Sequence, residues 1–257
     1  MSQIIHSSAF VHPDAQLGAD VVIGPFCIIG PCVSIGVGTR LASYVTISGH
    51  TDFGHHNVLG HFSSFGSAPQ DVRYNGEQTR LVVGDRNVID QGVTFNGALL
   101  DRAYPTTIGN DGIFKKGAHV AHDCVVGDGV VFEIGAAIAG HCRISNGVHI
   151  GTLSAVQQFT RIGTFAKIED GCAVTSDVIP FGVASSSEVH VRFNADGARQ
   201  SGLCDADVAL VEELFGRLIG GDRALHRYAR HRHILAARQI IAFIEAKNPN
   251  VIPAAPR

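Results

Sequence analysis

The amino-acid sequence predicts an all-β solenoid, a parallel β-helix of hexapeptide repeats, followed by a small α-helical C-terminal region. The main observation is a six-residue period of large apolar residues. It fits neither the 3.6-residue period of a helix nor the alternation of a hairpin strand. Hexapeptide repetition is typical of a parallel β-helix, in which each short strand places one large side chain in the interior. The 30 glycines suit tight corners between such strands. We expect the solenoid to span residues 1–182 and the helical region residues 183–257.

The apolar period can be followed through most of the solenoid, with two interruptions. If three strands complete a coil, residues eighteen apart stack at the strand spacing of about 4.8 Å. The side chains predicted to point inward are Val11, Leu17, Ile23, Ile29, Ile35, Leu41, Ile47, Phe53, Leu59, Phe65, Val83, Ile89, Phe95, Ile108, Phe114, Val120, Val126, Phe132, Ile138, Ile144, Ile150, Val156, Ile162, Ile168 and Val174.

The two interruptions predict two loops. Between Phe65 and Val83 the phase is kept, but charged residues occupy the inward positions, so we expect a loop near residues 67–80. Between Phe95 and Ile108 the spacing is one residue longer than two hexads, which predicts a second loop near residues 97–106. Long loops on a rigid scaffold often carry binding residues.

Beyond Pro180 the apolar spacing becomes helical. Asp205 or Asp207 is expected to cap a helix that ends at Gly220, and a second helical stretch is expected over residues 222–247. The second stretch holds a basic cluster, Arg223, Arg227, Arg230, His231, Arg232, His233 and Arg238. We interpret this cluster as a solvated helix face, with docking of an acidic carrier protein as the alternative.

The composition limits the partners and the compartment. A formal net charge of −3 argues against nucleic acid as the main partner, because phosphate binding needs an excess of Lys and Arg. The N-terminal residues lack the pattern of a secretory signal and no run reaches the length of a membrane span, so we expect a cytoplasmic protein without membrane insertion. The six cysteines lack a CxxC pair and are expected to be reduced core thiols.

One stretch of the repeat, residues 118–124, carries residues suited to catalysis. Val120 is predicted to point inward, so His122 can reach the outer surface, where Asp123 can fix the tautomer of its imidazole and stabilise the imidazolium. Steps of eighteen complete a column of His122, Gly140 and Gln158, with His119 and His141 beside it. A general base and an unshielded backbone N–H are parts that acyl transfer to a hydroxyl uses.

Several stretches together resemble a known family over nearly the whole chain. They are Ser8-Ala9-Phe10-Val11-His12-Pro13, Ile23-Gly24-Pro25-Phe26-Cys27-Ile28, Gln70-Asp71-Val72-Arg73-Tyr74 with Gly76-Glu77 and Thr79-Arg80, His119 to Cys124, Ala139-Gly140-His141, and Gln158-Phe159. They resemble the acyl-carrier-protein-dependent UDP-N-acetylglucosamine O-acyltransferases of lipid A biosynthesis. The hexads alone would indicate only a broad acyltransferase superfamily, whereas the Gln70 loop and the His122 segment are more specific.

The resemblance implies a homotrimer of left-handed parallel β-helices with active sites between subunits. It implies transfer of a (3-hydroxy)acyl chain from the phosphopantetheine of acyl carrier protein to a hydroxyl of the nucleotide sugar UDP-N-acetylglucosamine, without a bound cofactor or metal. His122 matches the general base, Asp123 its orienting neighbour and Gly140 the oxyanion donor. The implied substrate-binding residues are Asp71, Arg73, Asn96, His119, His141, Gln157, Gln158, Asp170, Asn194 and Arg199.

The chain departs from the family pattern mainly at the acceptor site. Arg73 replaces Lys, Asn96 and Gln157 replace His, Ile134-Gly135 replace two Asn, Asp170 replaces Gly, and Gln200-Ser201, next to Arg199, replace a basic pair. Each cation lost removes a charge-assisted hydrogen bond to phosphate, worth roughly 1.5–3 kcal/mol. A carboxylate at the end of an apolar channel is costly to bury, so Asp170 predicts a shorter acyl chain, unless it simply faces solvent at a corner.

Three other functions remain open. A divergent relative could use the same His122 chemistry on another sugar or an amine acceptor. A zinc carbonic anhydrase on this scaffold is suggested by His50, His55, His56 and His61, although residues eighteen further on are not histidines. A non-catalytic structural β-helix is the third alternative.

Overall fold

The coils of the chain form a three-sided prism of parallel β-sheets in the computed structural model, which describes residues 3–99, 104–186, 188–220 and 234–246. Successive strands of the chain contribute in turn to the three faces, so each sheet is built from every third strand of the regular repeat. This arrangement confirms the parallel β-helix that the six-residue period predicts.

Short strands, mostly of two residues, make up the three faces. The first face contains Ile4–Ile5, Val22–Ile23, Arg40–Leu41, Val58–Leu59, Val88–Ile89, Ile113–Phe114, Val131–Phe132, His149–Ile150, Lys167–Ile168, Gly182–Ser185 and the antiparallel Glu188–Phe193. The second face contains Phe10–Val11, Ile28–Ile29, Thr46–Ile47, Ser64–Ser67, Thr94–Asn96, His119–Val120, Ala137–Ile138, Ala155–Val156 and Ala173–Val174. The third face contains Gln16–Leu17, Val33–Ile35, His50–Phe53, Thr79–Val83, Thr106–Ile108, Val125–Val126, Arg143–Ile144 and Arg161–Ile162, with Ala98–Leu99 antiparallel to Thr79–Val83.

The register follows the predicted step of eighteen outside the two insertions. Val120 pairs with Ile138, which pairs in turn with Val156. Strand pairing extends beyond Val11 and Val174, the first and last inward residues predicted from the period. It begins one hexad earlier, with Ile5 opposite Ile23, and continues after Val174 into the strand Gly182–Ser185.

The inward-pointing side chains form one continuous apolar core along the prism. Its centre is a row of buried phenylalanines, in which ring centroids lie 5.2 Å apart from Phe65 to Phe95, 4.9 Å from Phe95 to Phe114 and 5.0 Å from Phe114 to Phe132. Truncating a buried Phe to Ala typically costs about 3–5 kcal/mol, so this row is a main source of stability for the coils that carry the site described below.

Both predicted loops interrupt the coils, but the second contains more regular structure than expected. Residues 68–78 form no strand between Ser64–Ser67 and Thr79–Val83. In the second region, Ala98–Leu99 folds back as an antiparallel strand against Thr79 and Arg80, and Thr106 already belongs to the next strand. A hexad count misses this pairing because the pairing is antiparallel and non-repetitive.

In the described part of the chain beyond the last coil there are three helices: α1 at Ala195–Gln200, α2 at Asp205–Ile219 and α3 at Leu235–Glu245. The predicted helix before Gly220 is α2, but its N-cap is Cys204, while the two aspartates lie in the first turn, where negative charge favours the helix dipole. Helix α1 is not predicted by the spacing. Part of the second predicted helical stretch, including its basic cluster except Arg238, lies outside the described residues.

A second apolar core joins these helices to the end of the prism. It includes Phe181 of the last coil, Val211 and Phe215 of α2, and Ile240 and Ile241 of α3. Arg161 on the third face adds a polar anchor, because its Nη1 donates to the carbonyl of Ala246 at 2.8 Å and its guanidinium lies 4.3 Å from the centroid of the Phe243 ring.

The burial of the cysteines tests the prediction that they are reduced core thiols. All six cysteines are free thiols, and four are buried as expected, but Cys32 and Cys204 are exposed. The expectation of core thiols is therefore wrong for these two, which lie at a corner and before α2.

Among the helices of the described residues, none is both long enough and apolar enough to cross a membrane.

Candidate active site

The centre of the site is a buried His122–Asp123 pair at the corner between the second and third faces. The Nδ1 atom of His122 lies 2.7 Å from Oδ2 of Asp123, and each side chain is only 10% exposed. A carboxylate at Nδ1 leaves Nε2 as the free nitrogen that can accept a proton, and it stabilises the imidazolium that results. The pair has the geometry of a general base with an orienting neighbour.

The backbone of Gly140 lies directly against the His122 ring. A Cβ atom on Gly140 would be 2.8 Å from Cε1 and 2.9 Å from Nε2 of His122, closer than real side chains approach. Within the described part of the chain, the N–H of Gly140 makes no hydrogen bond. The structure thus brings an available backbone donor next to the candidate base, and only glycine fits there.

His141 stands beside the pair and is held by an aromatic stack. Its ring is parallel to that of Phe159, with centroids 4.6 Å apart and an interplanar angle of 6°. It meets the ring of His122 edge to face at 5.2 Å and 86°. The eighteen-residue step between His141 and Phe159 produces the stack because both residues occupy the same corner position on successive coils.

His119 lies on the outer side of the second face, next to the base. Its Nδ1 is 2.7 Å from Oγ1 of Thr94 on the preceding coil, which fixes the orientation of the ring. Burial lowers the pKa of His119, and the charge of protonated His122 contributes in the same direction. His119 is therefore neutral at pH 7 and can exchange hydrogen bonds with a bound hydroxyl or amide.

A shallow cavity of about 290 Å³ connects these residues. Its floor is formed by small outward side chains of the second face, Ala137 and Ala155, and its wall by His119 and His122. Gln70 from the first loop reaches the same cavity. The cavity has one polar end at the base and an alanine-lined surface leading away from it, a shape suited to a ligand with a polar reacting group and an apolar part.

The first loop carries a salt bridge close to the base. The guanidinium of Arg73 donates two hydrogen bonds to the carboxylate of Asp71, at 2.6 and 3.0 Å. These hydrogen bonds, together with one from the Arg73 backbone, hold the pKa of Asp71 well below its usual range, and the charge of His122 contributes to the same shift. Asp71 and Arg73 thus form an ion pair that lies close enough to His122 for its charge to act on Asp71, and their role in holding a substrate stays a prediction.

Asn96 occupies a buried position at the base of this loop. Its Nδ2 donates to the carbonyl of Ala68 at 2.6 Å, which ties the loop to the second face. Its Oδ1 is buried and has no hydrogen-bond partner among the described residues. The direct contact of Asn96 is with the loop that carries Asp71 and Arg73.

Two predicted binding residues lie at the open side of the column. Gln157 and Gln158 are both exposed, and Gln158 lines the cavity next to Gly140. The backbone carbonyl of Gln157 accepts a hydrogen bond from the thiol of Cys142, but the residue does not line the cavity. Of the two, Gln158 is the one placed to touch a ligand in this cavity.

The remaining predicted residues lie away from His122 in this chain. Asp170 is exposed at the opposite edge of the second face, where its Oδ1 accepts a hydrogen bond from the Thr152 N–H at 2.7 Å. Asn194 caps helix α1 and donates to the carbonyl of Phe165. Arg199 forms ion pairs with Asp196 and Asp205. The observed contacts of all three are structural.

One group of side chains has the composition of a metal site, His122, Asp123 and His141, whose ligand atoms lie within 4.8 Å of one another. Ligands of a tetrahedral zinc, with bonds of about 2.0–2.2 Å, lie closer together than that upper limit, and the 2.7 Å contact of His122 with Asp123 is an ordinary hydrogen bond. The geometry fits a proton-transfer pair better than a metal centre.

Three of the four histidines that suggested a carbonic anhydrase make separate hydrogen bonds. His50 contacts Gln78 at 2.9 Å, His55 accepts from the Val37 N–H at 3.0 Å, and His61 contacts Ser43 at 2.7 Å. They do not form a metal-ligand group among the residues that the structure describes. Their observed role is to bind backbone and side chains at the corners of the coils.

Three contributors to the site were not singled out from the sequence. Thr94 orients His119, Phe159 stacks on His141, and Thr106 accepts a hydrogen bond from the backbone of Asp123 at 2.9 Å. The step of eighteen could have indicated Phe159 from His141. The loop insertion shifts Thr94 out of simple register with His119. Thr106 lies seventeen residues before Asp123, one short of the step of eighteen, so counting along the sequence alone does not reach either threonine.

The sequence is similar to hexapeptide transferases. The family model described as "Bacterial transferase hexapeptide (six repeats)" matches residues 4–37 and 14–49. An acyl-[acyl-carrier-protein]–UDP-N-acetylglucosamine O-acyltransferase from Paracoccus denitrificans is 41% identical over 171 residues, 66% of this chain and 65% of the relative. One from Verminephrobacter eiseniae is 36% identical over 190 residues, 73% of this chain and 69% of the relative. The chain thus spans slightly less than two thirds of the Paracoccus relative.

Solved structures extend the similarity to nearly the full chain. LpxA from Acinetobacter baumannii has a TM-score of 0.88 at 30% identity, covering 97% of this chain and all of that one (100%). The UDP-N-acetylglucosamine O-acyltransferase LpxA from Moraxella catarrhalis has a TM-score of 0.89 at 32% identity, covering 94% and 96%. This likeness confirms the predicted left-handed β-helix with C-terminal helices.

Proposed function

This chain belongs to the acyl-[acyl-carrier-protein]–UDP-N-acetylglucosamine O-acyltransferase family, and we propose that it transfers an acyl chain from acyl carrier protein to a hydroxyl of UDP-N-acetylglucosamine, in the first step of lipid A biosynthesis. The observation that carries this proposal is the 2.7 Å contact of His122 with Asp123 directly over the glycine backbone of residue 140. A base beside an oxyanion donor is the arrangement that acyl transfer requires.

The reaction assigns one role to each member of this group. Nε2 of His122 removes the proton from the sugar hydroxyl as its oxygen attacks the thioester carbonyl, and Asp123 stabilises the imidazolium that forms. The N–H of Gly140 donates to the oxyanion of the tetrahedral intermediate. When the intermediate collapses, the C–S bond breaks, the phosphopantetheine thiolate leaves, and the imidazolium supplies its proton.

The first loop is proposed to hold the acceptor. Asp71 stays ionised through its pairing with Arg73, so its carboxylate can accept hydrogen bonds from sugar hydroxyls at neutral pH. Arg73, 66% exposed in its side chain, can turn one N–H toward a phosphate oxygen. Gln70 and Gln158 supply amide groups at the two sides of the same cavity.

The assembly, donor and location follow from the same family membership as proposals. The donor is acyl carrier protein, no bound cofactor is required, and the protein acts in the cytoplasm as a homotrimer. In a trimer, Asn194, Arg199 and Asp170 of one subunit would approach the site of a neighbouring subunit. They do not reach the site of their own subunit. Sedimentation of the purified protein tests the trimer.

A product assay tests the reaction. The protein is incubated with acyl carrier proteins of mixed chain length and UDP-N-acetylglucosamine, and products are identified by mass spectrometry. We expect an O-acylated nucleotide sugar, and about 10²- to 10⁴-fold less of it for His122→Ala. His55→Ala, which removes a histidine bound to the scaffold, serves as the matched control. Full activity of His122→Ala would reject the base assignment.

A different acceptor is the second candidate, favoured by the weak phosphate side of the site. Gln200 and Ser201 carry no charge, and the adjacent Arg199 is already paired with Asp196 and Asp205. Thermal melting with millimolar UDP-N-acetylglucosamine separates the two candidates. A rise in Tm supports the nucleotide sugar, and no rise favours an acceptor without the diphosphate.

A further inference from the structure

Asp123 adopts the left-handed corner conformation that also occurs at other non-glycine corner residues of the prism, such as His141 and Phe159. Its φ of +59° lies in the left-handed region, which residues other than glycine adopt uncommonly. The carboxylate reaches Nδ1 of the preceding residue, His122, from this conformation. Any relaxation of the corner would therefore change the orientation of the candidate base.

Two residues from the neighbouring coils hold the backbone of Asp123 on both sides. Oγ1 of Thr106 accepts a hydrogen bond from the Asp123 N–H at 2.9 Å. Nη1 of Arg143 donates to the Asp123 carbonyl at 3.3 Å. Thr106 is completely buried, and Arg143 is partly buried. Both peptide groups that flank the Asp123 side chain are thus fixed from outside the turn.

Arg143 is unusual among the arginines of the third face. Burial lowers the pKa of its guanidinium, while the charge of Asp123 opposes that shift. No carboxylate of the described residues lies within ion-pair distance of Arg143. By contrast Arg161, at the same position one coil later, pairs with Asp177 at 2.7 Å. A half-buried cation without an ion-pair partner costs folding free energy. The hydrogen bond from Arg143 to the Asp123 carbonyl is therefore the feature that distinguishes Arg143 from Arg161.

We propose that Thr106 and Arg143 are positioning residues of the acyl-transfer site, which clamp the backbone of Asp123 so that its carboxylate orients His122. This inference rests on the proposed function, because it assigns the clamp to the same base. Neither residue touches the cavity that holds the reacting groups. Their removal should therefore reduce kcat and leave KM for the acceptor nearly unchanged.

The charge of Arg143 adds an effect that a purely structural residue would not have. A positive charge next to Asp123 opposes protonation of the His122–Asp123 pair through their Coulomb interaction. Removing it lets the imidazolium form at higher pH, so the acid limb of the rate profile should move upward. The other titratable or charged groups around the pair are His119 from the second face, His141 from the corner, Asp71 and Arg73 from the loop, and Cys124, Cys142 and Tyr104 near Arg143.

Steady-state kinetics on two pairs of variants test the clamp. Thr106→Val removes the hydrogen-bond acceptor and should lower kcat about 10- to 100-fold, because it lets the candidate base move from its position. Thr106→Ser, which keeps the hydroxyl, should restore most of the activity. Arg143→Met should lower kcat and shift the acid limb upward by roughly half a pH unit or more, with Arg143→Lys restoring the position of the limb. The control is Arg161→Met, which should lower Tm and leave kcat and the pH profile unchanged.

Each outcome bears on one proposal or the other. Thermal melting first shows that Thr106→Val and Arg143→Met are folded. If both then keep the kcat and the pH profile of the unchanged protein while His122→Ala is inactive, the clamp is wrong and the acyl-transfer site stands. If His122→Ala is fully active, the proposed function fails first. A rise in KM without loss of kcat would also contradict the clamp, because it would place the residues in substrate binding.

Discussion

The imidazole of His122 rests on the backbone of Gly140, at a distance where even one added methyl group would meet the ring at 2.8 Å. The contact links successive coils, because the two residues occupy the same corner position eighteen residues apart. It places Nε2, the free ring nitrogen, next to the backbone of Gly140, where an added Cβ would lie 2.9 Å from it. The base and the oxyanion donor are thus positioned by one packing contact.

The first prediction concerns that contact. Gly140→Ala should displace the His122 ring, since the added Cβ cannot coexist with it, and should lower kcat about 100-fold or more while the protein remains folded. Gly216→Ala in α2, where a Cβ meets open space, is the control. It should be neutral for activity and stabilise by up to about 1 kcal/mol. Unchanged activity of Gly140→Ala would show that the observed ring position is not needed.

The second prediction concerns stability against pH. Burial lowers the pKa of His119 and of His149, so the unfolded chain binds more protons than the folded one below the ordinary histidine value of about 6.5. Above that pH the two histidines do not lower the free energy of unfolding. The free energy of unfolding falls as the pH decreases below it, because the unfolded chain takes up protons first. Urea unfolding at pH 7.5 and 5.5 measures the loss.

His149→Gln is the variant that isolates one of these histidines. It should reduce the difference in unfolding free energy between the two pH values. His6→Gln, at an exposed position, should leave the difference unchanged. An equal loss in all three proteins would mean that other groups cause the pH dependence.

The third prediction concerns the attachment of the C-terminal helices. Arg161→Met removes the hydrogen bond to the Ala246 carbonyl and the contact with the Phe243 ring, and should lower the free energy of unfolding by about 1–3 kcal/mol. Arg86→Met removes an exposed ion pair with Asp111 and should cost less than about 1 kcal/mol. Equal costs for the two variants would argue against the anchor.

The fourth prediction concerns acyl chain length. We expect a preference for shorter chains than in relatives with glycine at this position, because Asp170 would place a carboxylate at the end of the channel. Turnover is measured across a series of acyl carrier proteins that differ only in chain length. A preference for the longest chains would defeat this prediction.

Asp170→Asn separates charge from structure in the same assay. The amide keeps an oxygen that can accept from the Thr152 N–H, so the corner should remain intact while the charge is lost. We expect the optimum to move toward longer chains. If Asp170→Gly moves the optimum and Asp170→Asn does not, side-chain volume rather than charge limits the chain.

The candidate site could be predicted where the repeat is regular and not elsewhere. His122, Gly140 and Gln158 follow from steps of eighteen, because stacked coils repeat their corner geometry. Thr94 could not be found this way, since the insertion after Phe95 changes the step to twenty-five between coils, as in the pairing of Thr94 with His119. Thr106 lies after the insertion, but it is seventeen residues from Asp123, so the step of eighteen does not connect the two.

The sequence by itself determined the architecture of this protein, because a six-residue apolar period has one stable solution in which every large side chain is buried. It also determined the column of His122 and Gly140 and the position of the loops. Only the tertiary structure decided that Asp123 is held by Thr106 and Arg143 and that Arg73 pairs with Asp71 near the base. It also decided that Asp170, Asn194 and Arg199 make structural contacts. The reason is physical: the period fixes which coil a residue joins, whereas side-chain contacts depend on rotamers, corner dihedrals and insertions that the period does not encode.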